Sequence, residues 1–507
     1  MIPAWLKQRW DRLWTRVGER LPFVGRMLAW RRRHRQLVLI SVVLCAHLLG
    51  AISSVQAVMD TRTPQGAVAW IVSLNTIPYV AVPAYWVFGR AKFKGDIADR
   101  RADLAHIAPT ATKFFEALRG EGLVAADAEG RFTEIQKLAH LPVTIGNDAE
   151  LLIDGRAVYD SIFAGMEKAR EYILVQFYTL RDDGIGGEFK RRLIDRARAG
   201  VRVYVLYDEV GSGELDEFAG EMRAEGITIR AFDSTKGPTN QLQLNFRNHR
   251  KIVVVDGRTS WIGGANVGDE YLGHNPELGM VRDTHVKITG PAVQQAQLSF
   301  IEDLHWAVGT VPPLTWDPQP APSGVSRTAL CVPSGPSDEF ETCTLFHMWA
   351  VNSARKRLWI ATPYFVPDEQ FISALQLAAL RGVDVRIIIP KITDNKLVKL
   401  SAWTYVEDLH RAGVTFFEYQ PAFMHQKVML VDDDVSVIGT ANFDNRSFRL
   451  NFEVTMVFFD EDLAGQTQRM LEQDLADSRV ITIEEVQARS FWERFGSRAA
   501  RLMAPIL

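Results

Sequence analysis

Cysteine is nearly absent, with three in 507 residues. Cys45 sits in an apolar run, and Cys331 and Cys343 have eleven residues between them. That excludes a disulfide framework and the paired spacing of a zinc site, and leaves buried free thiols in a reducing compartment. No other cluster has metal-ligand spacing, so no metal and no cofactor are expected. Net charge is small too, at −3, but the total hides an asymmetry. Residues 1–36 hold ten Lys/Arg against Asp11 and Glu19, a local +8 that leaves −11 for the rest. Such an arm suits anionic headgroups or nucleic acid. Its interleaved Trp5, Trp10, Trp14, Phe23 and Trp30 favour a membrane surface.

Charge is missing altogether from two stretches. Leu37 to Met59 and Gly66 to Phe88 are each 23 residues without Lys, Arg, Asp or Glu, long enough to span a hydrocarbon core. Asp60-Thr61-Arg62-Thr63-Pro64 turns the chain between them. A two-helix transmembrane hairpin is therefore predicted over 37–89, its second helix kinked at Pro78 and Pro83. The basic arm before it, and Arg90, Lys92 and Lys94 after it, put the N-terminus and main body on the cytoplasmic side. A cleaved signal peptide ending at Val55-Gln56-Ala57 is the rival, but a 36-residue leader is too long for one and a second span follows. A re-entrant hairpin is the other alternative.

Residues 90–140 are polar and mixed and read as a connector. From 141 to 310, helices (Asp160–Arg170, Gly187–Ala199) alternate with strands (Tyr172–Leu180, Val201–Tyr207, Ile227–Phe232), the pattern of an α/β sandwich with a largely parallel sheet. Seven prolines between Pro312 and Pro336 mark 311–337 as a linker. Over 338–480 the pattern restarts. RAGVRVYVLYD and LRGVDVRIIIP are recognisable copies, so the chain reads as a duplicated α/β unit. In the last stretch, 481–507, Trp492, Phe495, Leu502 and Met503 accompany Arg494, Arg498 and Arg501. That is a cationic amphipathic tail for a bilayer surface, or a terminal helix packed on the domain.

The chemistry concentrates in Asn248 to Tyr271, NHRKIVVVDGRTSWIGGANVGDEY. His249 and Lys251 share one face of an extended strand, the run to Val255 is β-branched, and Asp256-Gly257 turns it. Gly263-Gly264-Ala265-Asn266 then returns a carboxamide. Imidazole, ammonium and carboxamide together suit the oxygens of a phosphate. One such pattern is weak evidence, but Met424 to Arg446, MHQKVMLVDDDVSVIGTANFDNR, repeats it with His425, Lys427, Asp432 and Asn442 at the same offsets. Duplication lets the two sets face each other.

These paired HxKx4D motifs resemble those of the phospholipase D superfamily, over roughly residues 141–480. TRTPQGAVAWIVSLNTIPYVAVPAYWVFG, RDDGIGGEF, GGANVGDEYLG, RDTHVKITGPAV and GTANFDNRSFRLNFEV narrow the resemblance to bacterial membrane-anchored cardiolipin synthases. It implies duplicated phospholipase D-like α/β sandwich units with one shared active site behind a transmembrane hairpin, in a bacterial inner membrane. It also implies phosphatidylglycerol as substrate, with release of glycerol, and counts Asp256 and Asp432 among the motif residues.

The residues themselves support a covalent route. Lys251, Lys427, Asn266 and Asn442 would hold the non-bridging oxygens. One imidazole attacks phosphorus while the other protonates the leaving alkoxide; His249 is assigned as nucleophile and His425 as acid/base, though symmetry leaves the order open. Asp256 and Asp432, at strand ends, read physically as hairpin-fixing groups. Asp283 and Glu453 are placed to orient the opposite imidazole. Gln176, Val281 and Thr440 depart from the family pattern, and the first two are expected to bear on headgroup choice. A second reading keeps the residues but changes the acceptor or donor, to water or to phosphatidylethanolamine. A nuclease is disfavoured because the positive charge lies in the leader, so no nucleic-acid partner is expected. A non-enzymatic scaffold would not need both motifs complete.

Overall fold

The uncharged run at 37–59 folds as part of one 26-residue helix, α1 (Arg35–Asp60). The computed structural model describes residues 34–89, 97–232 and 245–504, so the basic arm before His34 lies outside the described residues. Residues up to Ala91 form one unit and those from Lys92 another. Among the described residues, α1 alone has the length and apolarity to cross a membrane, with mean hydropathy 2.3. The second uncharged run is not one helix. It divides into α2 (Pro64–Thr76) and α3 (Pro78–Ala84), followed by a π-turn at Tyr85–Gly89. The break falls at Ile77 (φ −132°, ψ 56°), where the Pro78 ring disfavours helical backbone. α1 meets α2 at Gly50, where a Cβ would lie 2.2 Å from the Leu74 carbonyl oxygen. Asn75 donates to Ser54 (2.8 Å) and Trp86 to Ser53 (3.1 Å). Small residues and shared polar groups are what hold helices together in lipid.

In the second unit, the first half of the chain gives β1 (Thr144–Ile153), β2 (Tyr172–Phe177), β3 (Arg202–Tyr207), β4 (Thr228–Ala231), β5 (Arg247–Asn248), β6 (Ile252–Val255), β7 (Thr259–Gly263) and β8 (Thr284–Thr289). The later half gives β9 (Arg327–Ser334), β10 (Arg357–Ala361), β11 (Phe365–Val366), β12 (Asp384–Pro390), β13 (Thr415–Tyr419), β14 (Val428–Val431), β15 (Val435–Gly439), β16 (Phe443–Asp444), β17 (Asn451–Phe459) and β18 (Ser478–Val480). Among the described residues one sheet runs β18-β13-β12-β10-β14-β15-β17-β9-β1-β8-β7-β6-β2-β3-β4, with β5 beside β17.

The sheet is mixed, which corrects the largely parallel expectation. Only β2-β3-β4 and β10-β12-β13 run parallel along this path. There, helices supply the long crossovers that parallel neighbours require. The HxK strands β6 and β14 instead turn straight back into β7 and β15 as antiparallel hairpins.

The proline-rich stretch is a linker only in its first part. Its end is β9, central in the sheet between β17 and β1. Pro333 is tolerated there because alternate residues of β9 aim their N–H away from β17: Cys331 donates to Gln295 Oε1 (2.9 Å). The donor Pro333 lacks would face the same way, so the β9–β17 ladder loses nothing. The expected connector also packs into the body. Helix α4 (Ile97–Gly120) buries Phe114 and Leu118 against Leu123, and Ile135 and Ala139 join the main core. Helices α5 (Ala292–Val308), α6 (Lys396–His410), α7 (Glu461–Ala476) and α8 (Phe491–Arg501) complete the elements needed below.

Candidate active site

The segment before each HxK pair is stitched to the strand segment that follows the other motif. β5 lies parallel to the start of β17, Arg247 opposite Asn451 and Asn248 opposite Phe452. The His249 N–H donates to the Phe452 carbonyl (2.9 Å). Reciprocally, the Arg282 N–H donates to the Phe423 carbonyl (2.9 Å) and the His425 N–H to the Arg282 carbonyl (2.7 Å). Backbone pairing thus sets Glu453 beside His249 and Asp283 beside His425.

The side chains complete this crossing. His249 Nδ1 lies 2.9 Å from Glu453 Oε2, and His425 Nδ1 lies 2.8 Å from Asp283 Oδ2. An ionised carboxylate only accepts, so each Nδ1 carries a proton and each Nε2 is the nitrogen left to meet a ligand. Glu453 is further fixed by Thr440 Oγ1 (2.6 Å) and Asn451 Nδ2 (3.1 Å). Asp283 takes the Thr284 N–H (2.7 Å). At one turn position, Gly264 leaves space for the Asp283 carboxylate, which a Cβ would approach to 2.2 Å. At the same position in the second motif, Thr440 fills the space and donates.

Lys251 donates to the His249 carbonyl (2.8 Å), and Lys427 to that of His425. The lysines, histidines and asparagines of both sets are buried, with Lys251 fully enclosed and the histidines and asparagines slightly more exposed than the lysines. The two asparagines differ. Asn266 is engaged on both sides, donating to Tyr271 (3.0 Å) and accepting from the Thr179 N–H (3.1 Å). Asn442 Oδ1 is buried without a partner among the described residues.

A family model described as "Cardiolipin synthase, PLD-like domain" matches residues 162–304 and 349–475. The chain belongs to this family. "Cardiolipin synthase A" of Pseudomonas putida (strain W619) is 47% identical over 466 residues, 91% of this chain and 97% of that protein. Its namesake in Pseudomonas aeruginosa (strain LESB58) is 43% identical over 91% of this chain and 94% of its own length. Among solved structures, the phosphatidylserine synthase of Haemophilus influenzae Rd KW20 shares the fold, with TM-score 0.56 at 17% identity over 75% of this chain and 100% of that one.

Within this cardiolipin synthase PLD-like site, electrostatics are dominated by burial. Burial pushes His249 down to about 4 against the pull of Glu453, and lowers His425 with help from Lys427 against Asp283. It brings Lys251 to about 7 and Lys427 to about 8. Burial would raise Glu453, but His249 and Lys251 hold it down at about 2. Each lysine acts on both histidines, so the two sets share one field. Burial leaves both lysines short of compensation for their charge, and an anion with several acceptor oxygens is the ligand that would stabilise them. Among the described residues no group of His, Cys, Asp or Glu is arranged to hold a metal ion.

Asp256 and Asp432 do not join the cluster. Each sits at the far end of its HxK strand with positive φ (54° and 50°). The Asp256 carboxylate accepts the backbone N–H groups of Arg170, Glu171 and Tyr172 (2.8–2.9 Å). Asp432 accepts those of Arg355, Lys356 and Arg357 (2.7–3.1 Å). Both close a hairpin onto a neighbouring strand. Gln176 and Val281 are both buried. Gln176 donates to Asn248 (2.9 Å) and to Asp303 of α5 (2.7 Å), which also binds Arg250 (2.9 Å); Val281 packs in apolar core with Phe423.

Sequence reasoning named Asp283 and Glu453 as partners of the imidazoles but gave no role on them to their aromatic neighbours. Tyr178 lies edge-on to His249 with ring centroids 5.0 Å apart, and Lys251 Nζ sits 5.5 Å from its ring. Tyr271 lies 3.3 Å from His425 Nδ1. A signal existed for Tyr178: it follows β2 as Tyr364 follows β10, the equivalent strand of the second half. None existed for Asn451 or for the hydroxyl of Thr440.

Proposed function

We propose that this chain is a cardiolipin synthase, moving a phosphatidyl group from one phosphatidylglycerol to the free hydroxyl of another and releasing glycerol. The crossed pairing of His249 with Glu453 and His425 with Asp283 carries the reading, because it leaves two Nε2 atoms available in one phosphate-seeking field. His249, held neutral by burial at about 4, is assigned as nucleophile. Its Nε2 forms the bond to phosphorus as the bond to the glycerol headgroup oxygen breaks. His425, entering as imidazolium, gives its proton to that oxygen. Now neutral, it takes the proton from the second phosphatidylglycerol's hydroxyl, whose oxygen displaces His249. One phosphodiester replaces another. Lys251, Lys427 and the Asn442 carboxamide hold the non-bridging oxygens, and Asn266 supports from its bond to Tyr271.

The reading includes a duplicated architecture, with unit boundaries at 141–310 and 338–480. Supporting it is the sheet order outward from its centre: β1, β8, β7, β6, β2, β3, β4 on one side, and β9, β17, β15, β14, β10, β12, β13 on the other. It includes a membrane hairpin built from α1 with α2 and α3, and a catalytic body on the cytoplasmic side of a bacterial inner membrane. Support for that placement is the basic flank at both outer ends of the apolar runs.

The test is mass spectrometry of lipids after adding the purified full chain to vesicles of phosphatidylglycerol alone, then with phosphatidylethanolamine added. Cardiolipin with equimolar glycerol in the first mixture is expected. Phosphatidic acid instead would make the chain a hydrolase, and product only in the second would make phosphatidylethanolamine a co-substrate.

A further inference from the structure

Helix α8 has three distinct sides. At 100° per residue, Ser497, Ala500 and the following Ala504 share one side, and all three are buried. This side packs on α6, where the Arg501 guanidinium stacks over Tyr405 (4.6 Å) and Arg489 over Trp403 (4.6 Å). A second side carries Phe491, Phe495, Ala499 and Leu502, bordered by Trp492 and Met503. Trp492 is 75% exposed and Leu502 81%, against a helix otherwise well anchored. Phe491, Trp492 and Phe495 touch one another, with centroids 5.2–6.1 Å apart, so the exposed side is one continuous aromatic surface. Arg494 and Arg498 form the third side, along the edge of the aromatic one. Glu493, the one acid of the helix, caps its N-terminus with Ser490; against Arg494, Arg498 and Arg501 it leaves the helix at +2.

We propose that this surface is a docking site for an anionic bilayer, independent of α1. The helix lies in the interface, with Phe491, Trp492, Phe495 and Leu502 among the acyl chains and Arg494 and Arg498 at the phosphates. Charge decides the occupant: an aromatic face edged by arginine, on a helix of net charge +2, complements negatively charged headgroups. The anchoring on α6 transmits the contact. α6 starts at the Asn395 cap, next to Asp394, which accepts the Tyr364 hydroxyl (2.7 Å) and whose field reaches Lys427. Docking α8 therefore fixes how the body meets the lipid plane. This stands on the helix alone, whether or not the synthase reading holds.

The test uses the full chain with Cys45→Ser and Ala499→Cys, labelled at position 499 with an environment-sensitive fluorophore. It is reconstituted in vesicles of phosphatidylcholine with or without about one-third phosphatidylglycerol, and quenched with spin-labelled lipid. Blue-shifted emission and at least about twofold stronger quenching in the phosphatidylglycerol vesicles are expected. Trp492→Ser/Phe495→Ser should abolish the quenching. Arg494→Gln/Arg498→Gln should remove the preference for phosphatidylglycerol, since each arginine at an anionic surface is worth about a fivefold change in binding. Absent quenching, or equal quenching in both vesicles, overturns the proposal. So does a blue shift that persists in detergent and grows with protein concentration, which would mean a second copy of the chain covers the face. No readout here depends on turnover, so failure of this idea and failure of the synthase reading are separable.

Discussion

His249 donates its Nδ1 hydrogen bond to Glu453, a residue 204 positions further along the chain. His425 makes the matching bond to Asp283, 142 positions back. Each imidazole is thus held by a carboxylate that follows the opposite motif, and neither half of the chain contains a finished acid/base unit.

Glu453→Gln should show this directly. The amide keeps the shape but can donate to Nδ1, turning His249 to the tautomer whose lone pair faces the wrong way. Cardiolipin formation is expected to fall by about 10²–10⁴-fold, with the fold retained. Activity within a few-fold of the native chain would remove Glu453 from the mechanism.

The order of the two histidines is open to trapping. A phosphatidyl ester of 4-nitrophenol needs no proton on its leaving group. With label in the phosphate, His425→Ala should still accumulate labelled protein through His249, while His249→Ala should show none. Label retained in the second variant, and lost in the first, would reverse the assignment.

The period-two spacing of His249 and Lys251, and its repeat at His425 and Lys427, make the site legible in the residues alone. Strand patterning and turn chemistry are local, and so is the logic that pairs imidazole with ammonium around a phosphate. What local pattern does not encode is which strand lies next to which. The antiparallel hairpins of the HxK strands are visible at Asp256-Gly257, yet their dominance over the parallel crossovers is not. β9 is hidden because Pro333 argues against a central strand unless its missing donor points away from the ladder. The departures at Gln176 and Val281 look like specificity positions in the sequence. Burial assigns one to the network around Asp303 and the other to the core.

Asp256 offers a test of motif membership against function. It accepts three backbone N–H groups at the start of β2 and touches none of the site residues. Asp256→Ala leaves those donors unpaired and is expected to cost about 1–3 kcal/mol of stability. Turnover per folded molecule should stay within a few-fold. A loss of turnover like that of His249→Ala, at unchanged stability, would return Asp256 to the chemistry.

Lys251 carries the clearest conflict between stability and function. Its ammonium is buried and held at about 7, against 10.5 when free, because burial outweighs the pull of Glu453. Between those values the unfolded chain binds more protons than the folded one, so stability rises with pH across that window. Lys427, at about 8 against 10.5, acts in the same direction. His249, at about 4 against 6.5, adds a further loss as pH falls through that lower range. Lys251→Met keeps the length and removes the buried charge. Its melting temperature at pH 7 should exceed that of the native chain by a few °C, about 1 kcal/mol. Its rise between pH 7 and 9 should be shallower, and cardiolipin formation should be lost. Thermal melts of both proteins in the same nanodiscs at pH 7, 8 and 9 decide it: equal slopes would mean that Lys251 is not the group that makes the site costly to fold.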